Sequence, residues 1–372
     1  MKARASALSA LTGLAAAWIA FTLLVWLYGE SPREIAALLL SGTWGTAYGA
    51  GQVLFKATPI LFTGVAVSLA LRAGLFNIGA EGQLYMGAIV GGAAGLYFGG
   101  RGGAAVFPIA AMVVAGALGG AAWASISGVL RALLGTNEIL TSLMLNYVAG
   151  YILTYLIFQS QSYWRETKGF NASVFPTGKL LPSSAQWPAW TLHAQGGIAL
   201  PLGAGIALLV AFVLWVLYRR TRFGFEVQVI GDSEGAARYA GVRTRRKILA
   251  VMAISGAIAG IGGASQDGDF RHALDGDPNG LQKQGYGYSG IVVAALARYN
   301  PFATVLVAFL LGGLQNAGTT LQGPAFPSGL VGVIQGIILF CALGGELLIR
   351  HRVRLVRASP SSTPAPAPEP AP

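Results

Sequence analysis

The sequence predicts an all-α polytopic membrane protein of about ten transmembrane helices, arranged as an inverted repeat of two five-helix halves with both termini cytoplasmic. Three observations lead there. Of 372 residues, 54% are hydrophobic and 10% are charged, against about 25% charged in a soluble domain. Glycine is abundant, at 53 residues, as expected where transmembrane backbones pack closely. Apolar stretches near the roughly 20 residues that cross a hydrocarbon core recur between short polar turns.

Met1 to Ala7 carries Lys2 and Arg4. Leu8 to Tyr28 is then an apolar span, too long for a signal-peptide core and with no cleavage site behind it, so it is expected to be retained. Glu30 to Thr46 is an external loop with a short amphipathic piece. The second span, Ala47 to Leu71, contains Pro59 and Lys56, whose place near the outer end lets it snorkel to the interface. The third begins inside Leu71 to Gln83 and runs to Phe98. Its Gly87, Gly91, Gly95 and Gly99 form a small-residue packing stripe. A glycine turn leads to the fourth span, Ala104 to Leu130, which Arg131 ends. Thr136 or Asn137 caps the fifth, Asn137 to Phe158, with Glu138 in its first turn. Asn146 falls at its middle, where an amide faces a partner helix or a pore.

Gln159 to Gly196 is rich in Trp and Pro and is placed outside. The sixth span is Gly197 to Leu217. The cytoplasmic loop Tyr218 to Lys247 follows, with eight Lys or Arg residues. The seventh span is Ile248 to Ser265. After a polar loop, Gln266 to Gly285, come a short eighth span, Tyr286 to Ala297, a ninth, Phe302 to Leu321, and a tenth, Phe326 to Ile349. Arg350 to Pro372 is basic and then Pro/Ala-rich, and is expected to be a disordered tail. Residues 1–349 thus form one transmembrane domain, with 159–196 outside and 218–247 inside.

On this topology 17 Lys and Arg residues lie inside and 7 outside, obeying the positive-inside rule. That accounts for the net charge of +11 without a nucleic acid partner. Five spans on each side of the central external loop start from opposite sides, the inverted-repeat logic of transporters.

Leu71 to Gln83 (LRAGLFNIGAEGQ) places Arg72, Asn77, Glu81 and Gln83 among glycines between two spans. A carboxylate at bilayer depth costs about 2.5–3.5 kcal/mol on insertion scales, so it is paired, water-facing or functional. Spacing leaves two readings open. Either the stretch lines a translocation path, or it starts a helix at the cytoplasmic interface with Glu81 paired to a neighbour. Few other intramembrane acids are visible, so no proton relay is expected. Enzymatic motifs are also missing. There is no HExxH, His193, His272 and His351 lie far apart, and Gly178-Lys179 is followed by Leu180 rather than Ser or Thr. No catalytic residue, metal site or cofactor is expected in this chain. Gly231 to Lys247 (GDSEGAARYAGVRTRRK) is predicted to hold a short helix capped by Asp232 or Ser233 and ended by Gly241. Ala236, Ala237 and Ala240 would form one small-residue surface, suited to a groove on a soluble partner.

Four ordered blocks resemble ABC-transporter permeases of the nucleoside and simple-sugar importer group. They are KATPILFTGVAVSLALRAGLFNIGAEGQ, NEILTSLMLNYVAGYI, EGAARYAGV with ISGAIAGIGGA, and GYGYSGIVVAALARYNPFA. They are most similar to nucleoside permeases that work with basic-membrane-lipoprotein-type binding proteins. The resemblance implies a multi-pass import subunit of a bacterial inner membrane. Its partners would be a second homologous permease, an ABC ATPase holding ATP and Mg, and an external lipid-anchored binding protein. Glu234, Ala236, Ala237 and Gly241 match the family's coupling motif. Gly235 stands where the simpler pattern has Ala, and Asp232 and Arg238 flank the motif as further coupling candidates. Asn77, Glu81, Gln83 and Asn146 match marked polar positions. They imply either substrate contacts or braces for broken helices. For a nucleoside, the amides would meet sugar hydroxyls and Phe76 or Tyr147 would stack on the base. A pentose importer and a stand-alone secondary carrier are the alternative expectations.

Overall fold

The computed structural model describes residues 31–101, 104–168, 176–192, 197–276 and 280–320, with isolated positions on either side. Most of the expected tenth span, the tail and most of the first span lie outside the described residues. The chain forms α1 (Pro32–Trp44), α2 (Ala47–Arg72), α3 (Ala80–Gly99), α4 (Val106–Leu134) and α5 (Glu138–Thr154). A hairpin of β1 (Ala189–Leu192) and β2 (Ile198–Pro201) leads into α6 (Leu202–Arg220). Two helices, α7 (Arg222–Asp232) and α8 (Glu234–Tyr239), precede α9 (Thr244–Ser265). Short α10 (Leu281–Gln284), α11 (Tyr286–Leu296) and α12 (Pro301–Thr320) complete the described fold. Six helical segments among the described residues are long and apolar enough to cross a membrane. The protein is a mostly helical multi-pass membrane protein.

α2 is apolar on every side and packs against α9, α11 and α12. Ile60, Phe62 and Leu69 are fully buried on it, as expected of a helix without a polar face. A second group, α3, α4 and α9, is joined through glycine. A β-carbon at Gly260 would lie 2.1 Å from the Gly116 carbonyl oxygen, and one at Gly120 2.1 Å from that of Gly256. Of the stripe predicted on α3, Gly87 meets the Gly260 backbone and Gly91 meets Ala264 on α9, whereas Gly95 lies against Met112 and Leu181 and Gly99 against Pro182 and Ala185. Such contact lets dispersion and backbone packing hold helices that lipid would otherwise separate.

The structure corrects the sequence reading in four places. Ile198 to Pro201 is strand rather than the start of the sixth span. Its residues pair antiparallel with β1, and Pro201 stands just before α6. The loop 218–247 contains an eleven-residue helix, α7, before the short one. Asp232 ends α7, and Ser233 alone caps α8 by accepting from Ala236 N–H at 3.2 Å. The polar loop after α9 opens with a π-helical turn, Gln266–Arg271, that buries Asp267 and Asp269. Asp269 accepts from Gly203 N–H at 3.1 Å. It thereby serves the first turn of α6, which has no side-chain cap of its own. Lys56 does not reach outward. It is 5% exposed, with its ammonium 5.2 Å from the Phe270 ring.

Candidate functional site: the interrupted segment and its contacts with α7 and α8

α2 ends at Arg72, and the chain reverses through Gly74 (φ +71°), where only glycine sits without strain. Residues 75–77 are non-helical and climb back into the packed layer. Asn77 donates to Ser255 Oγ at 2.9 Å, and Ser255 donates to the Ala66 carbonyl at 2.8 Å. Ala66 lies six residues before the end of α2, a rise of about 9 Å. Irregular backbone at that depth is tolerated where protein covers it.

The four polar residues singled out in sequence converge here, each at most 3% exposed. Asn77 donates to Gln83 Oε1 (3.0 Å) and accepts from Gln83 Nε2 (2.9 Å) and Gly79 N–H (3.1 Å). Asn146 accepts from Gly82 N–H at 2.9 Å and donates to the Ile78 carbonyl at 2.8 Å. It thus ties α5 to the first turn of α3, replacing backbone partners that an interrupted helix lacks. Glu81 accepts from Tyr85 Oη at 2.6 Å, from Tyr288 N–H at 3.3 Å and from Gly287 N–H. The last two donors are the free amides that open α11, where a carboxylate also complements the helix dipole. Asn146→Leu should therefore lower stability by about 2–4 kcal/mol, since one buried donor and one buried acceptor lose their partner. Thermal unfolding of the purified chain in detergent measures this, and an unchanged midpoint would contradict it.

Phe76 and Tyr147 are different, at 53% and 57% exposed. Phe76 N–H donates to Glu138 Oε1 at 3.3 Å at the start of α5. Tyr147 lies nine residues further along that helix, about 13 Å on.

α7 touches this segment directly. Gly231, near the end of α7, meets the Arg72 backbone and Gly74. Arg72 donates to Gln228 Oε1 at 3.0 Å and lies over the Tyr218 ring. Glu234 pairs with Arg238 one turn on and lies 3.9 Å from Arg131. Arg131 Nε in turn pairs with Glu138 Oε2 at 3.3 Å. A chain of charges therefore runs from α8 through the end of α4 and the start of α5 to the Phe76 amide. Sequence reading missed Arg131 and Glu138 as members, because a residue closing one helix and one opening the next carry no shared signal. The predicted alanine surface divides. Ala237 is buried, whereas Ala236 and Ala240 are exposed. Tyr239, beside them, is 98% exposed. Gly241 adopts φ +79° in the turn that follows α8. Among the described residues no group of three His, Cys, Asp or Glu is placed to hold a metal.

The site is a buried, interrupted segment of a multi-pass membrane protein, linked through ion pairs to a helix whose outer side is exposed. The chain belongs to the family described as branched-chain amino acid transport system / permease component, whose profile matches residues 49–343. It is similar to the glucose ABC transporter permease protein TsgB13 of Haloferax volcanii, 33% identical over 87% of this chain and 83% of that one. It is 32% identical to the guanosine ABC transporter permease protein NupP of Bacillus subtilis, over 84% of this chain and 85% of that one. The nucleoside ABC transporter permease protein NupB of Lactococcus lactis is 28% identical over 84% of each. The protein is thus a permease of the ABC importer class and not itself an enzyme. ATP hydrolysis resides in a separate subunit, and the class works with an ATPase and a substrate-binding protein.

Proposed function

We propose that this chain, with a second related permease, forms the translocation path of an ATP-driven nucleoside importer in a bacterial inner membrane. The observation that carries the substrate is the extended similarity to two permeases named for guanosine and nucleosides. Ten spans in two inverted five-helix halves would complete the fold, and a lipid-anchored binding protein would deliver substrate. Asn77, Glu81, Gln83 and Asn146 hold the interrupted segment in shape, since their polar atoms are engaged with one another and with backbone. Phe76 and Tyr147, both exposed, offer aromatic faces to a base. Asp232, Glu234, Ala236, Ala237, Arg238 and Gly241 form the ATPase-facing region, and ATP and Mg stay with that partner. A sugar reading is favoured by the glucose permease relative. Uptake of a labelled nucleoside into vesicles holding the assembled transporter separates the two. Competition by nucleosides but not by glucose or pentoses supports the proposal, and the reverse pattern supports the sugar reading.

A further inference from the structure

Where α6 passes into α7, a groove of about 660 Å³ opens on the cytoplasmic side. Its lining includes Tyr218, Arg219, Arg220, Arg222 and Phe225, and the turn after α8 closes it at Ala240. The three arginines are exposed and stand within four residues. Phe225 is 68% exposed beside them. The one acid in the lining, Glu226, is paired with Lys247, so it does not oppose an incoming anion. Tyr218 is only 8% exposed, yet its hydroxyl has no hydrogen-bond partner. A buried polar group is seldom left so. The groove lies at the inner end of a span, with Trp215 and Phe212 stacked on the turn just outward.

We propose that this groove binds the phosphate headgroup of an anionic phospholipid of the inner leaflet. Arg219, Arg220 and Arg222 meet the phosphate, Phe225 lies among the acyl chains, and the phosphate oxygens supply the acceptor that Tyr218 lacks. Basic clusters at this level gain about fivefold in affinity for each arginine near an anionic surface. Because the site joins the α6–α7 junction to the coupling turn, an occupied groove braces the contact through which ATPase movement arrives.

The test is native mass spectrometry of the full-length chain in detergent, titrated with phosphatidylglycerol, phosphatidylcholine or inorganic phosphate. Wild type should retain phosphatidylglycerol at least tenfold better than phosphatidylcholine. The triple variant Arg219→Gln, Arg220→Gln, Arg222→Gln should lose that preference, and Tyr218→Phe should weaken it severalfold. A charge-matched control, Arg243→Gln, Arg245→Gln, Arg246→Gln, should keep it. Equal loss in the control would overturn the proposal, because the effect would then be net charge. Displacement of the lipid by millimolar inorganic phosphate would assign the groove to a soluble phosphate group instead. If the triple variant kept lipid but no longer co-purified with its ATPase, the groove would belong to that protein partner.

Discussion

Glu234→Arg is expected to reduce ATP-driven uptake by the assembled transporter at least tenfold while the chain folds normally. The substituted guanidinium would face Arg131, at present 3.9 Å from Glu234, and would lose its own i,i+4 pair with Arg238. Both contacts are partly solvated, and exposed ion pairs contribute about 0–1 kcal/mol. Stability should therefore change little. The functional loss comes from position. Glu234 opens the helix whose exposed side presents Tyr239 and Ala236, and its link through Arg131 and Glu138 reaches the Phe76 amide. Uptake and thermal unfolding measured on the same preparation separate the two effects. Normal uptake by the variant would remove α8 from the coupling route.

Glu81→Leu is expected to be the most damaging single change to the fold. It leaves Gly287 N–H, Tyr288 N–H and Tyr85 Oη, which surround a carboxylate that is itself 1% exposed, without an acceptor. At about 1–3 kcal/mol for each unsatisfied buried donor, the loss is comparable to the whole stability of many domains. Little folded chain should survive detergent extraction. Glu81→Gln keeps one acceptor oxygen and should give an intermediate midpoint in a fluorescence-detected size-exclusion melt. A Glu81→Leu chain that folds as well as wild type but transports poorly would instead place Glu81 in contact with substrate.

Much of this was legible in the sequence, for identifiable physical reasons. The edges of α2 and α11 follow from apolar runs bounded by Arg72, Gly285 and Ala297, and the break between α2 and α3 from its glycines. Asn137 caps α5 through its side chain as its residue type and place suggest. Polar residues at bilayer depth also pointed to the interrupted segment. What could not be read was tertiary pairing. Asp269 looks like a loop acid until α6 is seen to start beside it. Lys56 looks free to snorkel until Phe270 is folded over it. The strand at Ile198 to Pro201 is four apolar residues that continue into an apolar helix, so hydropathy alone merges the two. The likeness of the Asn77, Gln83 and Asn146 amides to substrate ligands was equally a matter of residue type. Their partners prove to be one another, Ser255 and backbone.

The most direct measurement is ATP hydrolysis by the complete transporter in reconstituted membranes, with its external binding protein loaded in turn with nucleosides and with sugars. Stimulation by nucleosides alone, abolished by Glu234→Arg, is the predicted result. Stimulation only by sugars, or nucleoside accumulation that proceeds without ATP and collapses when an ion uncoupler is added, would contradict it.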